Sequence, residues 1–150
     1  MEEKFMKEAL KQAKKAASIG ETPIGAVIVR DGEIIARGYN KRETKKNALL
    51  HAEIIAISKA CKNLGGWRLP RCEMYVTLEP CPMCAGAIIN SRIEKVYFGA
   101  YDKKSGCAGS VINLFESGMF NHNVNVTGGI TEDKCASILT EFFRDLRKKK

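Results

Sequence analysis

Two cysteines stand three residues apart in the stretch "EPCPMCAGA": Cys81 and Cys84. On a helix, positions i and i+3 share a face. The stretch follows an apolar run that reads as a buried strand, so the pair falls at a helix N-terminus. There the dipole and the free N–H groups favour thiolates. Two thiolates so placed can hold a soft divalent metal such as zinc. Three readings fit the spacing. One is a redox dithiol pair. The second is a structural four-cysteine zinc site that recruits Cys61 and Cys72. The third is a catalytic zinc site that borrows a histidine and leaves its fourth position open to water.

A second stretch, "NALLHAEI" at 47–54, sets one histidine and one glutamate in an otherwise apolar run. Burying them without partners is costly. His51 can serve as the neutral imidazole ligand. Zinc lowers the pKa of a water it binds from about 16 toward ~7, and Glu53 is then suited to shuttle the proton. Residues i and i+2 of a helix point to different sides. The pair therefore works only if the metal lies near the helix N-terminus. His51-Ala52-Glu53 followed by Pro80-Cys81-Pro82-Met83-Cys84 matches the H-x-E…P-C-x-x-C signature of zinc-dependent nucleobase deaminases. Either half alone is weak, and the two together are specific. A structural zinc or RNA-binding module without turnover is disfavoured, because a closed site needs a fourth protein ligand.

The elements that must position these residues read as follows. Residues 3–18 form an amphipathic helix with Phe5, Ala9, Ala13 and Ala16 near one face, stopped at Gly20. "IGAVIVR" and "EIIARGYN" are strands joined by Asp31-Gly32, which suits a two-residue hairpin. Residues 48–63 read as a helix ended by Gly65-Gly66. "EMYVTLE" is a strand, "CPMCAGAIINS" a short helix with Pro82 in its first turn, and "KVYFGA" a strand. "YDKKSGCAGS" is a loop, and "NVNVTGG" is the last strand. Residues 131–147 close the chain as a helix, with Thr131 as its N-cap. Strands alternating with helices after an opening hairpin predict an α/β fold with a mixed sheet covered on both faces.

The chain has 150 residues, 45% hydrophobic and 28% charged. That suits one domain over 1–150. No apolar run approaches the ~20 residues of a membrane span. The N-terminal stretch is charged throughout and lacks a signal peptide's apolar centre, which points to the cytoplasm. Six cysteines in such a chain point to metal or reduced thiols rather than disulfides. Cys61, Cys72, Cys107 and Cys135 show no metal-ligand spacing and take no role from it. A net charge of +8, concentrated in "KRETKK" and "FFRDLRKKK", makes polyanionic partners plausible.

Over nearly its whole length the chain resembles the bacterial tRNA-specific adenosine deaminases of the cytidine deaminase superfamily. The resemblance runs through "TPIGAVIV", "GYN", "HAEI", "WRL", "MYVTLEPCPMCAGAI", "SRI", "VYFGA", "GS", "NH" and "FFRDLR". It implies a three-layer α/β/α fold, with a five-stranded mixed sheet flanked by helices, and a homodimer. It implies hydrolysis of the wobble adenosine of a tRNA anticodon stem-loop to inosine, with release of ammonia. His51, Cys81 and Cys84 would hold one Zn2+ per chain, and Glu53 would move protons. Asn40 would bind the target base or its sugar, and Ile24 and Ala52 would line the pocket. Asp102 and Lys104 would line the nucleic-acid groove, with Phe143 and Arg147 on the stem-loop. From the residues alone, Asn40 reads as a strand-end turn residue, and Phe143 equally as a core contact of the last helix. His122 reads as a surface or turn residue, and Met83 as packing.

The chain leaves the family pattern at Asn47-Ala48-Leu49-Leu50, where the family usually reads Asp-Pro-Thr-Ala. Leu50 either repacks the helix underside or reshapes the pocket mouth. The alternative function is therefore deamination of a free base or nucleoside such as guanine or cytosine.

Overall fold

In β1 (Gly25–Arg30), Ala26 and Ile28 alternate with Val27 and Val29, and all four are buried. A strand apolar on both sides needs cover on both faces. In the computed structural model, which describes residues 2–149, that cover is two helical layers. Ala26 and Ile28 join Met74 and Val76 of β3 (Cys72–Leu78) under α2 (Ala52–Leu64) and α3 (Pro82–Asn90). Val27 and Val29 join Tyr75 under α1 (Glu2–Ser18), whose Phe5, Met6, Ala9 and Leu10 recur at helical spacing.

The sheet order is β2-β1-β3-β4-β5, with β2 spanning Glu33–Tyr39, β4 Lys95–Ala100 and β5 Asn125–Thr127. β1 runs antiparallel to β2 and β3, whereas β3, β4 and β5 are parallel. The expected five-stranded mixed sheet between helical layers is what the chain forms. Asp31 and Gly32 turn the hairpin with φ of 50° and 81°, the left-handed pair that a two-residue loop requires. Parallel strands open their C-terminal ends on one side of the sheet, and loops there build sites. The loops after β3 and β4 do so here.

Two boundaries and one capping bond differ from expectation. α2 begins at Ala52, not Ala48, because residues 47–50 form a separate turn: Asn47 Oδ1 accepts the Leu49 N–H at 2.9 Å. β5 is only three residues long, since Gly128-Gly129 leaves the strand and Gly129 takes φ 83°. Thr131 stands at the N-cap of α4 (Glu132–Lys148) with φ 54°, and its side chain makes no capping bond. Glu132 and Asp133 in the first turn complement the helix dipole instead.

α2 lies directly on β2 at Gly38. A Cβ there would run into the Ala52 carbonyl and come within 2.8 Å of the Ala56 amide nitrogen. This close approach fixes the height of the α2 N-terminus, and with it His51 and Glu53.

Candidate active site

His51 is the N-cap of α2, with extended backbone (φ −77°, ψ 157°). Cys81 is the N-cap of α3, also extended (φ −79°, ψ 175°), and Pro82 follows at the first helical position. Cys84 lies one turn in and is fully buried. His51 Nδ1 stands 3.6 Å from Cys81 Sγ and 3.5 Å from Cys84 Sγ. All three donor atoms lie within 4.8 Å of one another. A tetrahedral zinc with bonds of the usual length would set nitrogen and sulfur ligands roughly 3.5 Å apart. The donor set and its spacing therefore fit a metal. Among the described residues no fourth His, Cys, Asp or Glu joins the group, as an open catalytic position requires.

The two remaining readings of the cysteines lose their ground here. Cys61 donates to the Trp67 carbonyl and Cys72 to the Pro70 carbonyl, so neither completes a four-cysteine site. The imidazole nitrogen facing both sulfurs is a third donor that a plain dithiol pair does not need.

The electrostatics are those of two helix N-termini converging on sulfur. The Cys84 thiol donates to Cys81 and, with His51 beside it and against the effect of burial, brings the Cys81 thiol down to about 4. The bond it gives to that thiolate, together with burial, pushes the Cys84 thiol above the ordinary thiol range. The bond to Cys81 raises the His51 imidazole above its usual value, with burial opposing and the Glu53 charge assisting. Glu53, 4% exposed, is pushed up to about 7, chiefly by burial and further by the Cys81 charge. A carboxyl near neutrality can both take and give a proton at pH 7.

These groups open into a cleft of about 600 Å³. His51, Glu53 and Cys81 line it together with Ile24, Asn40, Asp102, Lys104 and Phe143. Asn40 is buried and also serves as a turn residue, since its Oδ1 accepts the Arg42 N–H at 3.2 Å. Phe143 is 42% exposed, and its ring borders the cleft.

A family model, the MafB19-like deaminases, matches residues 1–147. The chain belongs to this deaminase family. It is 56% identical over 149 residues to a tRNA-specific adenosine deaminase of Bacillus subtilis, covering 99% of this chain and 92% of the relative. Among solved structures it resembles one from a study of A-to-I editing by tRNA:A34 deaminases at the wobble position. That match has a TM-score of 0.86 and 44% identity, over 90% of this chain and 98% of the other. A guanine deaminase from Nitrosomonas europaea shares the fold at TM-score 0.82 and 26% identity, over 93% of this chain and 83% of the other.

Not every expected contact of the deaminase cleft is where the sequence suggests. Ala52 does not line the cleft; it is wholly buried between α2 and the sheet, where the first turn of α2 packs on Gly38. Arg147 is exposed near the end of α4 and also lies outside the lining. Leu49 is exposed and Leu50 half-buried, and neither borders the cleft, so "NALL" adds no apolar bulk to it. His122 is half-buried and more than a surface residue. Its Nε2 donates to the Ile93 carbonyl at 2.7 Å and ties a long loop to the start of β4. Met83 is half-buried in α3.

The sequence reading missed Arg42, Tyr101, Lys103 and Leu139, which also line the cleft. A signal existed for Tyr101 and Lys103. They follow the C-terminal end of a strand parallel to the one that leads to Cys81, the usual place for site residues.

Proposed function

We propose that this chain hydrolyses the wobble adenosine of a tRNA anticodon to inosine and releases ammonia. The observation that carries the reading is the His51–Cys81–Cys84 donor group with buried Glu53 in the same cleft. Its support is the 56% identity, over nearly the full length, to a protein named for that activity.

His51, Cys81 and Cys84 would hold one zinc per chain. When bound, zinc supplies a water acidic enough to react at neutral pH. Glu53 would take a proton as water adds at C6 of adenine, pass it to N1, and then carry the proton of the new C6 hydroxyl to the departing amine. Asn40, pinned by Arg42 and Thr22, presents a fixed amide to the base or its sugar. A base must leave its stack to reach such a cleft, so a loop is the natural substrate. Arg42, Lys103 and Lys104 offer charge to its phosphates, and Phe143 offers a stacking face. Arg147, on the same exposed helix, would meet the stem.

We assign the active form to a homodimer. Val111, Ile112, Met119 and Phe120 are each about half exposed in one segment, a patch suited to a second copy. The tRNA substrate and the six free thiols suit the cytoplasm. No helix among the described residues is long and apolar enough to cross a membrane.

The test is an inosine readout on anticodon stem-loops beside free adenosine, guanine and cytosine. Turnover is expected on a stem-loop with adenosine at the wobble position. Turnover of a free base alone overturns the reading.

A further inference from the structure

We propose that two buried glutamates outside the proton chemistry, Glu21 and Glu79, are positioning residues that hold the two cationic loops of the cleft in place for the RNA backbone; this rests on the stem-loop reading above. The loops are 41–46, "KRETKK", and 101–110, "YDKKSGCAGS".

Glu79 is 2% exposed, and every hydrogen bond its carboxylate accepts comes from one loop. Its Oε1 accepts the Asp102 N–H at 3.0 Å and the Ser110 hydroxyl. Its Oε2 accepts the N–H groups of Ala108 at 2.9 Å and Ser110 at 3.1 Å. Four donors converging on two oxygens require a carboxylate. Glutamine would turn an NH2 toward some of those donors. The loop closes so tightly that a Cβ at Gly106 would strike the Glu79 carboxyl group. Within the loop, Asp102 Oδ1 accepts the N–H groups of Lys104 and Ser105 at 3.0 and 3.2 Å. The outcome is a fixed turn with Lys103 and Lys104 exposed on the cleft. Cys107 N–H also donates to the Pro80 carbonyl at 2.8 Å. The lysine loop is thus fastened to the segment that carries Cys81.

Glu21, just ahead of β1, does the same for the loop after β2. It is 1% exposed and accepts the N–H groups of Glu43, at 3.2 Å, and Thr44. Arg42, one residue before that clamp, lines the cleft. Each carboxylate is spent on the backbone of a loop whose side chains are cationic. The loops would otherwise repel one another and the like-charged neighbours within them. Pre-set loops bind a polyanion without having to order first.

The experiment uses full-length, zinc-loaded protein and an anticodon stem-loop over a salt series, with Glu79→Gln, Glu21→Gln and the milder Ser110→Ala. The glutamine variants should raise KM about tenfold and Ser110→Ala about threefold, as lost charged and neutral hydrogen bonds imply. kcat should stay within about twofold, because the substitutions leave the donor group and Glu53 intact. The dependence of log KM on log salt should become shallower as phosphate contacts are lost. A fall in kcat with KM and salt slope unchanged would overturn the proposal, since a general loss of packing does that. If Glu79→Gln fails to fold, Ser110→Ala and Glu21→Gln give the same two readouts. If the wild-type protein does not turn over the stem-loop, the tRNA reading fails by itself. Amide exchange in 102–110 then decides the clamp: faster exchange in Ser110→Ala supports it, and unchanged exchange overturns it.

Discussion

His51 Nδ1 meets Cys81 Sγ at 3.6 Å, and each residue is the N-cap of its own helix. Neither side chain leaves from a helical position, so the rule that i and i+2 diverge does not separate His51 from Glu53. Two positive helix ends point at one spot, which favours thiolate at Cys81 and leaves room on the cleft side.

Glu53→Ala should keep its metal and lose turnover. The carboxylate is not among the donor atoms of the metal group, and proton transfer of this kind is worth about 10²–10⁴-fold. Metal analysis beside a single-turnover assay checks both halves. Loss of zinc with the side chain would make Glu53 a ligand instead.

Purified protein should hold about one zinc per chain, as a single three-ligand site implies. Removal by a chelator should abolish activity and lower Tm, because a ligand bound only by the folded state stabilises it. Zinc added back should restore both. A metal-free protein of full activity contradicts the site.

Gly38→Ala should destabilise the fold by about 1–3 kcal/mol, the usual cost of overpacking. The new methyl meets backbone of α2, not a side chain that can swing away. The shift should also weaken zinc binding, since α2 begins next to His51. Urea unfolding and a competitive zinc titration measure the two effects. A variant as stable as wild type would show that α2 can slide.

Burial works to raise the Glu21 carboxyl, but the hydrogen bonds from Thr44 and Glu43 outweigh it and hold it below its usual value. A carboxyl depressed on folding contributes stability above its unfolded pKa of about 4.3 and loses it as pH falls through the folded value. Wild type should therefore exceed Glu21→Gln in stability at neutral pH, and the gap should close below about pH 4. Denaturant midpoints at pH 7 and pH 3 check this. A gap that stays constant across that range would assign the effect to shape rather than charge.

Much of the fold was legible because it rests on local rules. The unbroken apolar run in "GAVIVR", the Asp31-Gly32 turn, Pro82 after Cys81 and Gly65 at the end of α2 all act on neighbouring residues. Where local rules misled, a local competitor had been overlooked. The Asn47 side chain closes a turn that delays α2, and Gly128-Gly129 shortens β5.

By itself, the sequence determined the chemistry: a histidine, two cysteines and a glutamate in a pattern that few other functions need. Tertiary structure alone decided where these side chains point and what surrounds them. It moved Ala52 into the core, kept Leu49 and Leu50 off the cleft, and brought in Tyr101 and Arg42. It also gave Glu21 and Glu79 their loops. The reason is physical. The partners of these carboxylates are chiefly backbone N–H groups 22 to 31 residues away, and every residue except proline carries such a group. A pattern of residue types cannot mark them, so only the folded chain shows which amides converge.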